Sequence, residues 1–195
     1  MLDRNTYFIR EHAGLMKLSD VYDILDPETK QKIGESREEI SGWVKALRLV
    51  IDKALMPTRI AVYEGAQAPN QRLLFSVRRG VALFRPKVTI LDASGASLGY
   101  LQSKMLSLGG AFRVFTADGQ EIAQVKGDWK GWNFRFLSGE TELGLVTKKW
   151  AGLGKEMFTS ADNYIITLHG QPDPTLTTLL LAAGLAIDTV LKEKQ

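Results

Sequence analysis

The chain closes on "DPTLTTLLLAAGLAIDTVLKEK", residues 173–194, and this stretch restricts the possible folds more than any other. Asp173 suits a helix N-cap and Pro174 the first helical position, while Lys192 and Lys194 complement the negative end of the helix dipole, which predicts one helix over about 174–192. Its apolar run, Leu176 to Ile187, has twelve residues. At a rise of about 1.5 Å per residue that is roughly 18 Å, against a hydrocarbon core of roughly 30 Å. Asp188 then interrupts the run.

Projected at 100° per residue, Leu176, Leu179, Leu180, Ile187, Val190 and Leu191 share one broad face. Leu181 and Leu185 lie opposite, and Ala182, Ala183, Gly184 and Ala186 fill the remainder. A helix on the surface of a globular domain would show a charged stripe, which is missing here. The segment therefore needs apolar contact on nearly every side without being long enough to span. A helix threaded through a β-barrel satisfies both conditions. Leu180, Leu185 and Ile187, with the cap residues Asp173 and Pro174 and the closing Asp188, are the structural residues of that expectation.

The sequence upstream supplies the wall. "TYFIR", "VYDILD", "RIAVYE", "RLLFSVRRG", "KVTILD", "AFRVFTA", "EIAQVKG", "WNFRFLS", "ELGLVTKK" and "NYIITLHG" are short runs rich in β-branched and aromatic residues, separated by turn formers. Phe112 and Val114 alternate with Arg113 and Phe115, and Phe134 and Phe136 with Asn133 and Arg135, so one side of each strand faces a core. "LDPETKQKIG", "LDASGASLG", "TADGQEIAQ" and "LSGETELG" each place a polar turn between apolar positions and read as hairpins, with Gly95, Gly119 and Gly139 suited to positive φ. An antiparallel meander, closed into a barrel or stacked as a sandwich, follows. Residues 41–52, "SGWVKALRLVID", break the pattern with helical spacing and predict a short amphipathic helix packed on the barrel.

Composition narrows the chemistry. There is no cysteine, which removes disulfides, thiolate nucleophiles and cysteine metal ligands, and only His12 and His169 offer imidazoles. Neither has an acidic neighbour at ligand spacing, so no zinc site or His–carboxylate dyad is expected. No serine sits in a nucleophile elbow, and "LSLGGAF" lacks the lysine of a phosphate loop. The expectation is a protein with no catalytic site and no cofactor. The first residues, "MLDRNTYFIREHAGLMK", mix charge into every turn and do not read as a signal peptide, which predicts a cytoplasmic protein, not secreted.

The net charge of +3 is uneven: residues 57–160 carry 14 Lys/Arg against 8 Asp/Glu, whereas residues 1–56 carry 9 against 10. A basic middle is a solvated face in the plain reading, and an attractor of phosphate-bearing partners in the functional one. Trp129 and Trp132 beside Lys126 and Lys130 would suit a lipid interface or stacked bases, but no nucleic-acid motif appears.

Residues 148–192 resemble the C-terminal part of the phospholipid scramblase family, in which a "W-x-G…E-x-F-T-x-A-D-N-[YF]" phrase precedes a last strand and an apolar helix ending in "ID". Trp150, Gly152, Glu156, Phe158, Thr159, Ala161, Asp162, Asn163, Tyr164, Ile187 and Asp188 match in order. "GGAFRVFTADGQEIAQVKGDWKGWNFRF" extends the similarity over most of residues 60–192. The family is related to the tubby-like and LURF-one-related proteins. The resemblance therefore implies a single domain over 1–195, a closed antiparallel barrel of about twelve strands around a buried C-terminal helix.

It also implies dealings with lipid. Calcium-activated members carry a run of acidic ligands starting at a "D-A-D-N-F" phrase. Here Ser160 stands at the first of these positions and Gln171 at the last, and only Asp162 and Asn163 keep useful oxygens. Calcium takes six to eight oxygens, so this segment is expected to bind it poorly or not at all. The cysteine-rich palmitoylation run and the proline-rich N-terminal extension of many members have no counterpart. The functional expectation is a non-enzymatic protein, peripheral to a membrane and not transmembrane, that binds anionic lipid or a membrane surface through Arg78, Arg79, Arg85, Lys87, Lys148 and Lys149. Scrambling, if present, would run without calcium control. The alternative is a soluble module that presents its loops to a protein partner.

Overall fold

The computed structural model describes residues 1–12, 21–39, 57–67, 69–80, 87–103, 112–128, 132–148, 163–171 and 173–187. The predicted helix over 41–52, together with Arg85, Lys149, Ser160, Asp162 and Asp188, lies outside the described residues.

Twelve strands follow one another along the chain: β1 (Thr6–Glu11), β2 (Val21–Leu25), β3 (Lys32–Glu38), β4 (Thr58–Glu64), β5 (Arg72–Arg79), β6 (Lys87–Asp92), β7 (Ser97–Ser103), β8 (Phe112–Thr116), β9 (Glu121–Asp128), β10 (Asn133–Ser138), β11 (Thr141–Thr147) and β12 (Tyr164–Leu168). Each pairs antiparallel with the next, and β12 returns to β1 with Phe8 opposite Ile165, which closes the barrel. Closure leaves no sheet edge to be capped. Each of the ten β-rich runs became a strand. The two strands that no such run marked, β3 and β7, are the partners demanded by the hairpins at 25–34 and 91–99. At the hairpin turn of 91–99 and the two that follow, Gly95, Gly119 and Gly139 take φ of 89°, 91° and 59°.

The helix α1 (Pro174–Ala186) fills the barrel. Asp173 has extended backbone, and its Oδ1 accepts from the amides of Thr175 (2.8 Å) and Leu176 (3.0 Å), satisfying two of the amides that a helix start leaves open. Pro174 occupies the first turn, as expected. Every residue from Thr177 to Ile187 is buried, so α1 has no solvent face over that length. Leu180, Leu185 and Ile187 pack with Tyr7, Ile9, Phe75, Ile90, Phe134 and Ile166 of the wall in one continuous core. Two glycines stand where helix and wall meet. A Cβ at Gly99 would lie 2.2 Å from the Phe115 carbonyl oxygen and 2.8 Å from Leu179 Cδ2, and one at Gly184 2.6 Å from Ile166 Cδ1. Any larger residue there pushes helix and wall apart, which is why both positions lack a side chain.

The polarity of the wall is the reverse of that in a membrane-spanning barrel, which turns an apolar band outward and keeps a polar lumen. Here the inside is mostly apolar, and Arg10, Arg59, Arg78, Lys87, Lys126 and Arg135 point outward. Among the described residues no helix is long and apolar enough to cross a membrane.

Candidate functional site

The predicted cations that are described, Arg78, Arg79, Lys87 and Lys148, do not form one patch. β5, carrying Arg78 and Arg79, and β11, leading into Lys148, lie on opposite sides of the ring with five strands between them in either direction. Arg79 departs from the expectation of a surface cation. It is 0% exposed and faces inward, where its Nη2 donates to Thr58 Oγ1 at 3.3 Å. The reason is the strand period: Phe75 and Val77 point into the core, so Arg79 must follow them while Arg78 points out. Lys148 lies half-buried with Nζ 4.3 Å from the centre of the Trp132 ring. That ring packs in turn against Tyr164 and Phe134, so Lys148 belongs to a corner of the wall away from β5. Gln171 is exposed in the connection from β12 to α1.

Arg78 and Lys87 do come together, on the outer wall of β5 and β6. A row of direct cross-strand partners runs Arg59, Arg78, Thr89, Tyr100, Phe115 across β4 to β8. Arg59 and Arg78 are both exposed and stand side by side, an arrangement of like charges that costs stability unless an anion relieves it. Arg59 is held at 3.5 Å by Glu39, whereas Arg78 makes no ion pair with a described residue. Tyr100 and Phe115 stack with centroids 4.8 Å apart, and Lys87 Nζ sits 3.7 Å from the centre of the Tyr100 ring. Lys87 has no carboxylate partner among the described residues either. The result is a basic and aromatic strip in which ring faces take the place of acids. Sequence reading missed Arg59, Tyr100 and Phe115, because only the register across five strands aligns them. A strand-by-strand projection would have shown Tyr100 and Phe115 pointing outward, but not that they touch.

A second cluster shows the opposite arrangement. On the outer face of β1 to β3, the buried Asp23 takes Arg10 Nη2 at 2.9 Å, His12 Nε2 at 2.8 Å and Lys32 Nζ at 2.6 Å. Burial alone would raise the Asp23 pKa, but the hydrogen bonds from Arg10, Lys32 and His12 together pull it down to about 2. Lys32 also reaches Glu35 at 2.5 Å. The expectation that His12 has no carboxylate partner is thus corrected: cross-strand pairing of β1 with β2 brings it to Asp23, eleven positions further along the chain. Arg10 and Lys32 contact the two Asp23 oxygens beside it. Among the described residues, no group of three or more His, Cys, Asp or Glu is placed to hold a metal ion.

The sequence matches the family model "Scramblase" over residues 45–194, most of the chain. The chain belongs to the scramblase family. No curated protein and no solved structure matches it. The match begins within the β3–β4 connection, so the Asp23 cluster lies before the family region, while the whole basic and aromatic strip lies within it.

Proposed function

We propose that this scramblase-family barrel binds anionic lipid at a membrane surface through the outer wall of β4 to β8. The observation that carries the reading is the Arg59–Arg78 pair beside Lys87 on the stacked Tyr100–Phe115 rings. Exposed guanidinium and ammonium groups attract lipid phosphate, at about 1 kcal/mol per cation near an anionic surface. The aromatic pair offers amphipathic area of the kind found at the headgroup level. Binding by this wall needs no movement of α1, whose side chains are committed to the core. It also needs no calcium, since the cations contact phosphate directly.

Flotation of the protein with vesicles tests the reading. Recovery with vesicles containing anionic lipid at low salt, lost at high salt or with purely zwitterionic lipid, is the expected outcome. Failure to float under every condition would overturn lipid binding and leave a protein-binding module as the reading. Lipid exchange between leaflets is a separate activity, read by dithionite reduction of labelled lipid in vesicles reconstituted with the protein.

A further inference from the structure

The wall does not close evenly around the helix. β9 and β10 pair from Asp128 opposite Asn133 to Gln124 opposite Leu137, and β9 runs on through Ala123, Ile122 and Glu121 with no β10 partner in that register. Where the two strands part, the start of α1 is reached from outside through a groove of about 330 Å³. Ile122, Leu143, Leu176 and Leu179 supply its apolar lining. Glu121 and Asp173 supply carboxylates, and none of the lining residues is Lys or Arg.

The charge of the groove selects among apolar occupants. Asp173 uses Oδ1 for the two helix amides, and no described residue donates to its Oδ2. Glu121 is shared with Arg113 at 3.3 Å and with Gln124 Nε2 at 2.7 Å, so Asp173 is the less engaged of the two acids. Asp118, in the adjoining β8–β9 turn, adds a further carboxylate. A fatty acid or alkyl sulfate would bring like charge to this mouth, whereas an ammonium group would meet opposite charge while its tail covers the leucines. A volume of this size lies at the small end of the range of ligand pockets, which suits one short tail.

We infer that the groove between β9, β10 and the start of α1 binds a single-tailed alkylammonium amphiphile, tail against Leu143, Leu176 and Leu179, head at Asp173. The groove adjoins the far end of the basic strip, where Phe115 pairs with Glu121, but takes its apolar lining from residues outside the strip.

The test titrates the intact protein, below micelle concentrations, with octyltrimethylammonium, octyl sulfate and tetramethylammonium. Calorimetry and methyl NMR follow the binding. Saturable binding of octyltrimethylammonium, with shifts centred on Ile122, Leu143, Leu176 and Leu179, is expected, and octyl sulfate should bind roughly tenfold more weakly or not at all. Tetramethylammonium, lacking a tail, should give no saturation. Asp173→Asn keeps a good cap but removes the charge, and should weaken octyltrimethylammonium about fivefold. Ser138→Trp, at an exposed lining position, should block the groove. Equal affinity for the two octyl compounds, shifts centred elsewhere, or an unchanged Asp173→Asn variant would overturn the assignment.

Discussion

On the outer wall of β1 to β3, the Asp23 carboxylate gathers Arg10, His12 and Lys32, whereas on β5 and β6 Arg78 and Lys87 stand without a described acid, one beside another arginine and one over a tyrosine ring. Both regions are outward faces of the same barrel, and both are rich in cations. They differ in whether a buried anion organises those cations. Where it does, the charges are spent on the fold: the carboxylate is only 7% exposed, and it is stabilised in its charged form by its neighbours. Where it does not, the charges contribute little to stability and remain available to an anion from outside. A cluster of basic residues is thus a candidate site only after its internal acids have been counted.

Removing the organising anion should have the largest effect. Asp23→Asn leaves three cations around a neutral amide. A shift from the ordinary 3.8 to about 2 corresponds to about 2 kcal/mol, so that loss of stability is expected in denaturant unfolding at pH 7. The sign follows from the depressed folded-state value: the contribution is complete above about 4 and fades as pH falls toward about 2. The difference between wild type and Asp23→Asn should shrink over that window. A constant gap down to pH 2 would mean that Asp23 acts by packing and not by charge.

On the other face, Arg78→Gln with Lys87→Gln should do the reverse. Stability should move by less than about 0.5 kcal/mol, as for surface substitutions generally. Affinity for anionic vesicles should fall about 30-fold, from the loss of about 2 kcal/mol for two cations. If both faces respond alike in unfolding, the distinction between them fails. A smaller effect is expected from Tyr100→Leu, which keeps apolar area but withdraws the ring face from Lys87. About a twofold loss of vesicle affinity is expected, because the ring's amphipathic area at the headgroup level is lost.

Much of the architecture was legible because it depends on local chemistry. The fate of α1 could be read from Leu176 to Ile187, too short to span and too apolar to face water, and its start from Asp173 and Pro174. Strands such as β8 and β10 declared themselves through alternation. β3 did not, because its inward positions are Gly34, Ser36 and Glu38, which carry no apolar period. The candidate site was legible only in part. Arg78 and Lys87 are on the wall as expected, but Arg79 was read from the charge of "RR" when its strand parity, two positions after Val77, already turned it inward. The meeting of His12 with Asp23, and of Tyr100 with Phe115, depends on register between strands, which turn lengths and bulges set and no short window contains.

The central claim is that α1 is the core of the barrel, so that dealings with membranes fall to the outer wall. Hydrogen exchange measured on the detergent-free protein, with and without anionic vesicles, tests it most directly. Amides from Thr177 to Ala186 should belong to the slowest-exchanging set in buffer alone and should not change when vesicles are added. Rapid exchange of that segment in buffer, with protection gained only on adding lipid, would contradict it.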